Sequence, residues 1–194
     1  MNRSRHLPFA LALVVLGAPL LNACVPAVVV GAAAGGALVA TDRRSAGAQL
    51  DDQSIELKIA TELGTRYGDR IHLNVTSYNG IVLLTGEAPD QATRDAIASY
   101  ARGVDRVRAV HDEIVVGPTT DLSARTNDSY ITSKVKTRFV EANKFSATHV
   151  KVVTERSVVY LMGIVSRSEA DAAAQIAATT SGVARVVKLF EITG

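Results

Sequence analysis

Apolar and polar positions along the chain follow one scheme, and they follow it twice. In residues 72–86 (HLNVTSYNGIVLLTG) Leu73 and Val75 alternate with His72, Asn74 and Thr76, the period of two that turns one row of a strand inward. Asn79-Gly80 supplies the positive backbone angles of a two-residue hairpin turn, residues 81–84 return as a more uniformly apolar strand, and Gly86 closes it. Residues 149–163 (HVKVVTERSVVYLMG) repeat the length and the pattern, with Val150 and Val152 in the inward row and Val159 and Leu161 at the places of Val82 and Leu84. Arg156-Ser157 replaces Asn-Gly, so the second turn is less well specified.

The repeat is longer than the hairpin. Ahead of the first copy Ile55, Ile59 and Leu63 recur at i, i+4, i+8, and ahead of the second Ile131, Val135 and Phe139 do the same, each triple marking one helix face. After each hairpin a second helical stretch runs to Gly-Val-Asp-Arg-Val (103–107) or Gly-Val-Ala-Arg-Val (182–186), and a third strand follows. Asp51 or Asp52 is expected to cap the first helix, Pro89 suits the first turn of the second and Gly103 its end, and Ser166 with Glu169 reads as a capping box in the second copy. The fold class is α+β: two tandem α-β-β-α-β domains, each a small three-stranded mixed sheet packed by two helices, at 51–118 and 127–194, with a linker at 119–126. Units of this length are domains rather than solenoid repeats, because each has its own apolar face to bury.

Ahead of the domains Arg3 and Arg5 precede an apolar run and then Leu21-Asn22-Ala23-Cys24, the layout of a bacterial lipoprotein signal peptide over 1–23. Cys24 is the only cysteine of the 194 residues, which excludes an internal disulfide, and it stands where acylation (palmitate included) requires it. Val25 follows it rather than Asp, which by resemblance to enterobacterial sorting rules favours the outer membrane. Residues 24–50 read as a lipid-anchored flexible linker, too short in their apolar part to span a bilayer. Removing Arg3 and Arg5 leaves the mature chain neutral, with 51–118 at net −4 and 119–194 at net +3. That asymmetry between the halves suggests different partners.

No enzyme site is legible. His72 and His149 occupy the same place in both copies, with no ligand-spaced cluster around either, so no metal and no cofactor are expected. Cys24 is taken by lipid, and Asp112-Glu113 point to opposite faces of a strand. The surface that draws attention is the first helix of the second copy, where Tyr130, Lys134 and Arg138 form a stripe beside the core face, with Ser133 and Thr137 next to it. An aromatic ring heading a basic stripe suits a membrane surface, the ring at headgroup level and the cations on phosphates.

The paired strands closed by Gly and the later G-V-x-x-V resemble the BON domain, and two such units behind a lipidated Cys resemble the dual-BON-domain outer-membrane lipoproteins. Residues 40–45 with Gly47, Gln49, Asp51 and Asp52, and residues 127–135, carry the resemblance further. It implies a non-enzymatic protein, lipid-anchored on the periplasmic face of the outer membrane, that binds anionic phospholipid (phosphatidylglycerol, cardiolipin) through this helix and supports outer-membrane integrity. The matching positions are Tyr130, Ile131, Lys134 and Val135, with Tyr130 where relatives can have Trp. The expected site is therefore Tyr130, Ile131, Ser133, Lys134, Thr137 and Arg138. An outer-membrane protein is a further expected partner, nucleic acid is not. The alternative is an envelope protein-interaction adaptor that works through the acidic first domain.

Overall fold

The computed structural model describes residues 42–193, so the signal peptide, Cys24 and the apolar tether behind it lie outside the described residues. The first domain comprises α1 (Ala46–Tyr67), β1 (His72–Tyr78), β2 (Ile81–Ala88), α2 (Gln91–Arg102) and β3 (Ala109–Val116). The second comprises α3 (Leu122–Ala142), β4 (Lys151–Glu155), β5 (Val158–Val165), α4 (Arg167–Ala178) and β6 (Arg185–Ile192). In each sheet the middle strand is antiparallel to its hairpin partner and parallel to the strand that follows the second helix. The α-β-β-α-β order is the one the hydrophobic pattern predicts.

The helices start earlier than their acidic residues suggest. Ser45 caps α1, its Oγ accepting from the Ala48 N–H at 3.1 Å, and Asp121 caps α3. Residues 46–50 and 122–126, expected as linker, are therefore helical. Pro89 stands one residue before the α2 cap, Asp90, while Gly103 ends α2 and the Ser166–Glu169 capping box forms as expected.

Asp52 is no cap; it is buried in α1 and clamps the first hairpin. Its carboxylate accepts from Ser77 Oγ (2.6 Å), from the Asn79 N–H (2.7 Å), from the Gly80 N–H (2.8 Å) and from Arg44 Nη1 (2.8 Å). Burial by itself would push this carboxyl up, but those donors outweigh it and hold it below the ordinary range. Asp128 does the same in the second domain, accepting from the Arg156 and Ser157 N–H groups at 2.8 Å each. Arg156 and Ser157 thereby take φ of 51° and 62°, close to the 52° and 75° of Asn79 and Gly80. The turn that looked under-specified is specified from a neighbouring helix.

Each domain closes its own core. Ile55, Ile59 and Leu63 meet Val82 and Leu84 of β2 and Ile97 and Ala101 of α2, and Ile131, Val135 and Phe139 meet Val159, Leu161 and Ala173 in the same way. A third cluster joins the domains. Tyr78 and Leu83 from the first sheet and Tyr160, Met162 and Leu189 from the second pack together, so the helix-free faces of the two sheets cover one another. Both faces of β2 and β5 are therefore buried, which is why those strands are uniformly apolar.

Charge follows the same seam. Lys151 pairs with Glu56 at 3.0 Å, Arg156 with Glu87 at 3.4 Å and Arg185 with Glu113 at 3.7 Å, each a base of the second domain on an acid of the first. Only Arg108–Glu191, at 3.0 Å, runs the other way among the described residues. The asymmetry expected to denote different partners is in good part spent between the two domains. The entering segment is docked as well: Arg44 lies 4.0 Å over the Tyr78 ring, and Arg43 grips Glu169 through two hydrogen bonds (2.7 and 2.9 Å) while donating to the Ile164 carbonyl.

Candidate functional site

The α3 helix lays its core stripe on the second sheet and leaves its opposite face to solvent. The predicted residues divide there. Tyr130 is 63% exposed, and Ser133 and Thr137 point outward with it. Ile131 is 1% exposed and belongs to the core, so it touches no ligand at the surface. Lys134 lies at the edge, its Nζ 5.2 Å from the Tyr130 ring centre and donating to the Ser181 carbonyl at 2.6 Å. Arg138 is half-buried and occupied: Nη1 donates to the Ile176 carbonyl at 3.1 Å and to Thr180 Oγ1 at 2.9 Å, satisfying the end of α4. It is a brace between two helices.

Two apolar residues absent from the expected site share the outer face. Val140 is 67% exposed and Leu122 78%. Their signal was available, since Ser133, Thr137 and Val140 are spaced i, i+4, i+7. Exposed Lys136 and Lys144 flank this strip, so the free cations of the face are Lys136, Lys144 and, in part, Lys134. Among the described residues no helix is long and apolar enough to cross a membrane.

A second constellation sits on the seam between the domains, and it corrects the expectation that no ligand-like cluster surrounds His72. The ring Nδ1 of His72 is 3.0 Å from Glu87 Oε2, across the β1–β2 ladder. Glu155, the last residue of β4, reaches in from the second domain, its Oε2 accepting from Asn74 Nδ2 at 2.8 Å. One ligand atom from each of His72, Glu87 and Glu155 lies within 4.8 Å of the others. Glu87 is 1% and Glu155 5% exposed. Burial would raise the Glu87 pKa, but the Thr120 N–H, His72 and Arg156 outweigh it, so the carboxylate stays ionised. A cleft of about 230 Å³ beside the group is lined by His72, Asn74, Arg125, Asp128 and Glu155 among others. His149, the matching histidine of the second domain, faces Glu169 at 3.6 Å and gathers no such group.

Part of the acid on which the adaptor alternative rests is taken up within the molecule, while Asp69, Asp90, Asp95 and Asp105 stay exposed. Glu56, Glu87 and Glu113 of the acidic domain are engaged by the second domain. Asp112, on the opposite face of β3 from Glu113, is held by Arg94 at 2.9 Å.

Comparison with known proteins accounts for the doubled unit. A profile of the BON domain matches residues 51–118 and again 127–194. The chain is 39% identical over 181 residues to the outer membrane lipoprotein DolP of Haemophilus influenzae, covering 92% of this chain and 93% of that one. It is 36% identical to a 21 kDa hemolysin of Actinobacillus pleuropneumoniae (77% of this chain, 78% of that one). It is 30% identical to the osmotically-inducible protein Y of Escherichia coli (71% and 70%).

Proposed function

This chain belongs to the BON-domain family, as an outer-membrane lipoprotein carrying two such domains, and from that premise we propose that its second domain docks on anionic phospholipid and so supports the integrity of the envelope. The observation that carries this reading is the outer face of α3, where Tyr130, Val140 and Leu122 stand exposed between Lys134, Lys136 and Lys144. Tyr130 suits the headgroup layer, Val140 and Leu122 the boundary with the acyl chains, and the lysines the phosphates. Each lysine near an anionic surface contributes about 1 kcal/mol, so the face alone binds weakly. The tether multiplies that through effective concentration. Seventeen residues lie between Cys24 and Asp42, a reach of about 60 Å when extended, ample for α3 to lie on the bilayer that holds the acyl chains.

Flotation of the chain from residue 42 onward with vesicles tests this. Vesicles of phosphatidylglycerol or cardiolipin should carry it, and phosphatidylcholine vesicles should not. Changing Lys136 and Lys144 together to Gln should cost about 2 kcal/mol, roughly thirtyfold in partition. Equal flotation on both vesicle types, or no loss in the double variant, refutes the reading. Arg138→Gln, by contrast, should act through stability, because its guanidinium is held by α4.

A further inference from the structure

We infer that His72, Glu87 and Glu155 form a binding site for a divalent transition-metal ion, of which zinc is the best match, and that the ion would pin the two BON domains together. Three observations converge on this. The first is the donor set: one imidazole and two carboxylates, with an atom from each within 4.8 Å of the others, is a nitrogen–oxygen set suited to zinc. Ligands around a tetrahedral zinc lie about 3.3 Å apart, so closing the group takes a shift of about 1.5 Å, within reach of a glutamate side chain turning on its own bonds.

The second is orientation. Thr120 and Arg156 fasten Glu87 from behind, and Glu87 in turn meets His72 Nδ1 at 3.0 Å. That separation is close to the spacing of two ligands on one tetrahedral zinc, so the imidazole nitrogen and the carboxylate oxygen already stand side by side. The other nitrogen, Nε2, lies 3.5 Å from the Asn74 amide, the same amide that donates to Glu155. Asn74 thus holds Glu155 close to the imidazole.

The third is charge. Glu155 is 5% exposed, yet its partner is the neutral Asn74 amide. Around the cleft Glu87, Glu155 and Asp128 carry three negative charges against two positive ones on Arg125 and Arg156, which leaves one uncompensated. A buried carboxylate without a cation costs free energy that a bound ion returns. Zinc would take ligands from β1 and β2 of one domain and β4 of the other.

The test is zinc titration, by calorimetry at neutral pH, of the whole mature lipidated chain in detergent micelles after chelator treatment. One ion per chain is expected, with binding lost in His72→Ala, in Glu87→Gln and in Glu155→Gln. His111→Ala, which removes a histidine from β3, should bind as the parent does. Zinc should also raise the melting temperature of the parent and leave that of His72→Ala unchanged. Glu155→Gln keeps a hydrogen-bond acceptor for Asn74, and its circular dichroism establishes that it folds. Independently of any variant, the imidazole resonances of His72 should shift on zinc addition while those of His111 stay. No saturable binding, undiminished binding by His72→Ala, or an unmoved His72 ring overturns the assignment.

Discussion

Replacing Asp128 by alanine isolates the device that shapes the second hairpin. The carboxylate is 6% exposed and accepts from two backbone N–H groups at 2.8 Å, and those groups belong to two non-glycine residues held at positive φ. Removing it leaves both N–H groups without a partner, at about 1–3 kcal/mol each when water stays out. Arg156 is exposed and Ser157 half-buried, so water reaches the turn and the lower part of that range applies, about 2–3 kcal/mol in total. For two packed domains of about 150 residues each kcal/mol moves the melting temperature by about 2–4 °C, so a fall of roughly 4–12 °C is expected. Asp128→Asn should cost about half as much, because its amide oxygen serves one N–H while its NH2 confronts the other. Installing Asn-Gly at 156–157, the pair the first hairpin carries, should recover about 1 kcal/mol in the Asp128→Ala background, since that pair adopts the turn unaided. Urea unfolding followed by circular dichroism reads all four proteins. An Asp128→Ala protein within about 0.5 kcal/mol of the parent would refute the argument that the helix shapes the turn.

Further outcomes follow from other contacts. Gly163→Ala should destabilise the second domain by several kcal/mol, because its Cβ would collide with the His149 carbonyl oxygen in the short turn that leads into β4; near-parental urea stability would exclude that collision. Hydrogen bonding from Arg43 pulls the Glu169 carboxyl from 4.5 down to about 2, against the opposing effect of burial. A carboxyl lowered in the folded state stabilises fully above its unfolded pKa, so this contribution is present above about pH 4.5 and is lost as pH falls toward 2. The stability difference between the parent and Arg43→Ala should accordingly shrink across that window, and a constant difference would contradict it. Reversing Lys151 to Glu should loosen the seam by up to about 1 kcal/mol, and adding Glu56→Lys should restore it, as a double-mutant cycle would register; additive losses would mean the pair is not coupled.

The chain by itself determined the doubled α-β-β-α-β unit, the core row of each helix and the hairpin centred on Asn79-Gly80, because period and turn chemistry are local properties. The two-residue turn even implies the pairing of His72 with Glu87, whose positions are symmetric about it. What tertiary structure alone decided is which partner each side chain meets. The apolar runs of β2 and β5 signalled burial without saying that a second sheet covers them, since periodicity records exclusion from water and not the identity of the neighbour. Arg138 belongs to the same stripe as Lys134, yet the end of α4, some forty residues on, engages it. Asp52 reads as a helix start because acids favour that place, whereas the fold uses it, and Asp128 at the matching position, for hairpins that lie 25 to 29 residues further along. Glu155 comes to the Asn74 amide beside His72 from 81 residues beyond Asn74, in the other domain, and no local spacing encodes that approach. It arises only when the apolar faces of the two sheets close on each other and carry their acids and bases to the rim of the same seam.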